Sequence, residues 1–181
     1  MKPHSYSSQG IILARKNFGE ADRIVSLYSK DYGRVAMLAK GVRRPSSRKR
    51  GHIEVFSYVN YQAVNSSSLD IMTEADVIED FSKIRKSLKK VSLAYYFCEV
   101  VGKITHEGER NEDLFDLILE SLEKLQNTSK LKELRLSFIT KLLTLLGYWP
   151  KGSELPNPDA KLEEVIERQL ASARVGKIIS S

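Results

Sequence analysis

Residues 10–40 read GIILARKNFGEADRIVSLYSKDYGRVAMLAK, and three short β-type runs lie inside them: GIILARK, RIVSLYS and RVAMLAK. Asn17, Phe18 and Gly19 punctuate the first junction, and residues 30–33 the second, with the polar and glycine chemistry of turns. In the third run Val35, Met37 and Ala39 share one face and Arg34, Ala36 and Leu38 the other, the period of a half-buried strand. Downstream, EVFSYVNYQAV (54–64) and LDIMTEADVI (69–78) repeat the pattern, separated by the polar residues 65–68. Five short strands with polar connections predict a small antiparallel barrel or sandwich. Runs that are apolar on both faces suit a barrel whose outside packs on a neighbour or presents aromatics to a ligand.

After Phe81 the period becomes helical. Ile84, Leu88, Val91, Tyr95 and Cys98 keep one face of a first helix that ends near Gly102. A second helix is predicted from the N-cap Asn111, with Glu112 and Asp113 in its first turn and Leu114, Leu117, Ile118, Leu122 and Leu125 along it. A third runs from about 130 to 146 with Gly147 at its C-terminal cap. A linker at about 148–157 precedes Asn157 and Pro158, an N-cap and first-turn pair for a last helix carrying Leu162, Val165, Ile166 and Leu170. The fold class is therefore α+β: a five-stranded barrel over 1–80, then an all-α helical domain over 81–181.

The 181 residues are 41% hydrophobic, enough for a real core, and 29 Lys and Arg against 23 Asp and Glu leave a net charge of +6. Cys98 is the one cysteine, in the apolar setting YYFCEVV, which excludes an internal disulfide and a cysteine-based zinc site. The first residues lack an apolar stretch of signal-peptide length, and no run approaches the roughly 20 residues that span a bilayer. A cytoplasmic protein without membrane contact is expected. There is no Gly-Lys-Ser/Thr phosphate loop, nucleophile elbow or dinucleotide fingerprint. His4, His52 and His106 are scattered, and the pairs Glu112 with Asp113 and Glu163 with Glu164 suit helix starts. An enzyme is the least expected class, and no cofactor is implied.

Charge placement is more informative than its sum. Residues 40–50 read KGVRRPSSRKR, with Lys40, Arg43, Arg44, Arg48, Lys49 and Arg50 and no acidic residue, interspersed with Gly41, Pro45, Ser46 and Ser47. Taken alone, such a run is either a solvated loop or a mobile arm for a polyanion. Arg15 and Lys16 end the first strand, Arg23 opens the second and Arg34 the third, which places further cations along a barrel groove or rim. Tyr28, Tyr32, Phe56, Tyr58 and Tyr61 are interleaved with them, as a base-stacking platform or, for Phe56 above all, as core. A second cluster, KIRKSLKK (83–90), sets Lys86 and Lys90 on one face of the predicted first helix. Barrel and arm together suit DNA and RNA equally.

The string from Gly10 to Gly51, with its GEADRIV turn and strand, DYGRV hairpin and AKGVRRPSSR element, closely resembles the N-terminal domain of the bacterial RecO recombination-mediator family. The likeness is strong to Val77 and continues as a helical pattern to LLGYWP at 145–150. The resemblance implies an N-terminal OB-fold, a central helical domain, binding of single- and double-stranded DNA, and annealing of complementary strands. It also implies partners: the RecR ring, the single-stranded-DNA-binding protein and, through them, the RecA recombinase. Many members carry a four-cysteine zinc module where KGSELPNPDAK (151–161) stands here, so no metal is carried over. The chain is also shorter than the family's members. The DNA-binding candidates are Arg15, Lys16, Arg23, Arg34, Lys40, Arg43, Arg44, Arg48, Lys49, Arg50, Lys86 and Lys90; an OB-fold RNA-binding protein of translation or ribosome assembly is the runner-up.

Overall fold

The structure, a computed structural model, describes residues 2–49 and 51–180, with side chains as far as Ala171. β1 (Ser5–Phe18), β2 (Asp22–Ser29), β3 (Gly33–Ala39), β4 (Tyr58–Val64) and β5 (Asp70–Glu79) close into a barrel in the order β1-β2-β3-β5-β4. Neighbours are antiparallel except β3 and β5, whose parallel seam has only two pairs, Met37 with Asp70 and Leu38 with Ile71. This five-stranded barrel is an OB-fold, as expected from the strand signals and the resemblance.

Strand alternation fills the interior with Ile12, Val25, Leu27, Val35, Met37, Ala39, Val59, Tyr61, Ala63 and Met72. β1 begins at Ser5 rather than Gly10, because Ser5, Ser7 and Gln9 pair with β4 through backbone and give no apolar signal. Within β1 the register slips: Ile12 faces Leu27, but Ala14 faces Ser26, so Leu13 is an extra residue, a β-bulge. The slip reverses the facing of everything after it. Ala14, Lys16 and Phe18 would otherwise follow Ile12 inward; they stand instead on the outer side with Ser26 and Ile24.

Residues 54–57, expected as strand, form a turn in which Phe56 adopts φ 59°. Such a conformation costs a non-glycine residue about 1–2 kcal/mol. The turn is held by Phe56 N donating to Ile12 O at 2.7 Å and Ile12 N donating to Ser57 O at 3.0 Å. The Phe56 ring is fully buried, with the Arg85 guanidinium 4.0 Å from its centre.

The predicted first helix is two: α1 (Ser82–Arg85) and α2 (Leu88–Ile104). Ser87 breaks it by N-capping α2, its side chain accepting from Lys90 N at 3.4 Å. α3 (Glu112–Asn127) starts where Asn111 Oδ1 accepts from Leu114 N at 3.0 Å. α4 (Leu131–Leu145) ends on Gly147 at φ 80°, and α5 (Pro158–Ser180) starts where Asn157 Oδ1 accepts from Ala160 N at 3.1 Å. The chain forms two compact units, 1–127 with the barrel and α1 to α3, and 128–181 with α4 and α5. In the second, α4 packs on α5 and Arg135 grips the Asp159 carboxylate with both terminal nitrogens. In the first, α2 lies on β1, and Cys98 is buried there with its thiol donating to Ile12 O at 3.6 Å. Burial pushes that thiol up to about 12, so it is a packing group rather than a nucleophile.

At the start of β5, Asp70 accepts from Tyr6 OH at 2.5 Å, Lys2 Nζ at 2.9 Å and Ser66 N at 3.3 Å. Burial alone would raise its carboxyl; the hydrogen bonds from Lys2 and Tyr6 outweigh burial and hold it below the ordinary value. A carboxyl depressed in the folded state contributes stability that is complete above its unfolded value of about 3.9 and is lost as pH falls through the lower folded value. Asp70→Asn should therefore lower stability near neutrality and flatten its decline in acid, read as urea midpoints between about pH 6 and 2. Parallel wild-type and variant curves would show that Asp70 contributes nothing through its charge.

Candidate nucleic-acid interface

Beyond the bulge, the outer side of the sheet carries the cross-strand row Lys16, Ile24, Leu38 and Ile71. Phe18 lies two residues past Lys16 on the same side, opposite Asp22, and Lys40 lies two past Leu38. Ile24, Leu38 and Ile71 are half-buried, Lys16 and Lys40 exposed. The result is a shallow apolar floor with a cationic edge at one end of β1, β2 and β3.

The basic loop joins that edge. Residues 40–49 and 51–57 run through successive turns, and the first of them are bonded to the β1–β2 hairpin: Gly41 N donates to Asp22 Oδ1 at 2.7 Å, Arg43 N to Ala21 O at 2.9 Å, and Arg43 Nη1 to Gly19 O at 3.1 Å. Gly41 takes φ 64°, which its lack of a side chain permits. Later in the loop Lys49 Nζ donates to Met72 O at 3.2 Å, and His52 Nδ1 donates to Ala75 O at 2.6 Å. Both carbonyls belong to β5 beyond the two-pair seam, where β3 no longer runs beside it. The loop is thus fixed to the barrel at both ends of its basic stretch, where the sequence suggested a mobile arm.

Among the sequence candidates, Lys16, Lys40, Arg43 and Arg44 converge around the hairpin, whereas Arg23 lies on the other side of β2, opposite Ala39, with its Nε donating to Asn17 Oδ1 at 3.2 Å. Arg48 is exposed further along the loop. Lys49 is partly withdrawn from solvent, and burial lowers its ammonium below the ordinary lysine value against the pull of Glu74. Arg50 lies outside the described residues. The others have duties elsewhere. Arg15 pairs with Glu54 at 2.9 Å, and Arg34 Nε donates to Thr105 O at 3.2 Å, helping to dock residues 105–110 on the barrel. Lys90 Nζ donates to Gln126 O at 2.8 Å, at the carboxyl end of α3. The break at Ser87 separates Lys86 from Lys90, so the shared helical face expected of them does not form.

The aromatic platform expected from the tyrosines is corrected. Tyr28, Phe56 and Tyr61 are buried, with Tyr61 OH donating to Ser29 Oγ at 2.7 Å and Tyr28 OH to Glu109 O at 3.3 Å. Tyr32 stands edge-on to Tyr6, ring centres 4.7 Å apart, and Tyr58 against Phe115 at 5.9 Å. Tyr95 and Tyr148 are exposed on or after helices, and among the described barrel residues the exposed ring is Phe18, at 51%. Its signal in the sequence was an aromatic set beside a turn glycine, outside any apolar run.

The β1–β4–β5 side of the barrel differs in charge: Asp31, Glu74 and Asp76 line a polar groove there with Lys30, Ser7, Gln9 and Asn60. A polyanion is favoured on the β1–β2–β3 end over that side. Among the described residues, no group of three or more His, Cys, Asp or Glu is placed to hold a metal, and no helix is long and apolar enough to cross a membrane.

An OB barrel with a cationic edge and open apolar strands belongs to a class of folds that bind oligonucleotides or oligosaccharides on this face. The chain is a member of the RecO family: residues 1–81 match the family model for the N terminus of recombination protein O, and residues 85–155 the model for its C terminus. It is 35% identical to the DNA repair protein RecO of Dehalococcoides mccartyi over 89% of this chain and 64% of that one. It is 37% identical to the DNA repair protein RecO of Pelotomaculum thermopropionicum over 80% and 56% of the respective chains, and 30% identical to that of Roseiflexus sp. over 93% and 59%. The chain thus spans less than two thirds of the length of these curated relatives.

Proposed function

We propose that this chain is a non-enzymatic DNA-binding and strand-annealing protein of recombinational DNA repair. The observation that carries the reading is the convergence of Lys16, Lys40, Arg43 and Arg44 on one hairpin of an OB barrel. Cations on that edge and at Arg48 neutralise phosphates of two strands at once and reduce the repulsion that keeps complementary strands apart. Phosphates carry no base code, so the same surface takes single and double strands of any sequence. Family membership supports the wider role: delivery of RecA to strands coated by the single-stranded-DNA-binding protein, together with RecR.

The test is annealing of naked complementary oligonucleotides, followed by dye release or gel shift, with RNA of equal length as competitor. Acceleration that DNA suppresses and RNA suppresses far less is the expected result. No acceleration would overturn the annealing role, and equal competition by RNA would move the reading to an RNA-binding OB protein. Repeating the assay with strands coated by the single-stranded-DNA-binding protein separates intrinsic annealing from partner-dependent work.

A further inference from the structure

We propose that Phe18 is an unpaired-base subsite: its ring takes one nucleobase of a single strand by stacking, while the surrounding cations hold the adjacent phosphates. The inference rests on the DNA-binding reading above and adds to it a means of telling single strands from duplex.

An isolated surface Phe is ordinary in itself. Three features set this one apart. The bulge at Leu13 sets it on the outer side of the sheet with Lys16, where an in-register strand would have turned it to the opposite side. At 51% exposure, among the described residues, no other ring lies against it. The turn that follows it is held from behind by Arg43 Nη1 on Gly19 O at 3.1 Å and Arg43 N on Ala21 O at 2.9 Å, so the ring stands on a fixed support.

Its neighbours select the ligand. Lys16 shares its side of β1, and Lys40 and Arg44 are exposed on the adjoining loop, so a ligand reaching the ring passes cations and meets an apolar floor of Ile24 and Leu38. A flat apolar group attached to an anionic chain satisfies both, and that is a base on its sugar-phosphate backbone. In a duplex each base face is already covered by its neighbours, so the ring gains a partner there only at ends or by prying bases apart. Stacking at Phe18 therefore favours single strands, whereas the cations serve both forms.

The experiment compares wild type, Phe18→Ala, Phe18→Trp and the double variant Lys40→Ala with Arg44→Ala, using oligo-dT, an abasic oligonucleotide of the same length and a hairpin-capped duplex. Phe18→Ala should bind oligo-dT roughly five- to a hundred-fold more weakly. Its affinities for the abasic strand and the duplex, and its salt dependence on oligo-dT, should be unchanged, and Phe18→Trp should retain or exceed wild-type binding. The cation variant should weaken on all three ligands. If Phe18→Ala loses nothing on oligo-dT, or loses equally on the abasic strand, the stacking subsite is overturned while the cation variant's losses leave the DNA-binding reading standing. If wild type binds none of the three, both fall together.

Discussion

Replacing Lys16, Lys40, Arg44 and Arg48 together by alanine should flatten the salt dependence of single-strand binding more than any other change of equal size. Each phosphate contact contributes about 0.7 to the slope of log affinity against log salt on a single strand. Four lost contacts reduce the slope by about 3, which at about 0.1 M salt is a loss of roughly 10²–10³ in affinity. All four side chains are exposed, so the fold should be spared. The comparison is Arg15→Ala, whose guanidinium already pairs with Glu54 at 2.9 Å and should leave the slope near its wild-type value. Fluorescence-anisotropy titrations at four or five salt concentrations measure both. A slope unchanged in the fourfold variant would remove the loop and hairpin from the binding surface.

The largest effect on stability is expected at Gly33→Ala. Gly33 holds φ 66° at the β2–β3 turn, and a Cβ built on it falls 2.1 Å from Glu109 O and 2.4 Å from Glu109 C. Those atoms are backbone of the segment after α2, which is bonded to the same hairpin by Gly108 N donating to Arg34 O at 2.9 Å and Tyr28 OH donating to Glu109 O at 3.3 Å. Left-handed strain of about 1–2 kcal/mol adds to an overlap that only a shift of the docked segment relieves. A total of about 2–5 kcal/mol follows, measured from urea midpoints by circular dichroism. Gly102→Ala is the counterpart: nothing lies within 4 Å of its Cβ position inside α2, so helix propensity should stabilise by about 0.5–1 kcal/mol. A Gly33→Ala protein as stable as wild type would mean that the 105–110 segment does not rest on the barrel.

What the sequence made legible was local. β2, β3 and β5 alternate or run apolar between turn residues, and Asn111, Asn157 and Gly147 mark helix ends by side-chain chemistry that needs no distant partner. What stayed hidden depended on partners far along the chain. The polar first third of β1 is a strand because β4 pairs with it, and Arg34 is a docking residue because Thr105 lies beside it in space. The interleaved tyrosines misled because their strands are apolar on both faces, so alternation did not say which side was inside. For the site, the basic loop and the strand-end cations were visible as charge; which of them converge was decided by the bulge at Leu13 and by bonds between the loop and the hairpin. Ser87, an ordinary residue in a helical pattern, split one predicted face into two because its side chain caps the following turn.

The attachment of the basic loop has a thermodynamic consequence. Ordering an unfolded segment at the moment of binding costs about 1–2 kcal/mol per residue in backbone entropy, so a floppy arm of the length of residues 40–50 would forfeit on the order of 10 kcal/mol of its electrostatic gain. Here that expense falls on folding, where Asp22, Ala21 and Met72 hold the backbone and Lys49 in place. On the proposed reading, DNA binding would then draw its entropy mainly from released counterions, with only long side chains left to order. For the proposed annealing role, a loop ordered beforehand leaves no segment that must fold on capture and unfold again on release of the finished duplex.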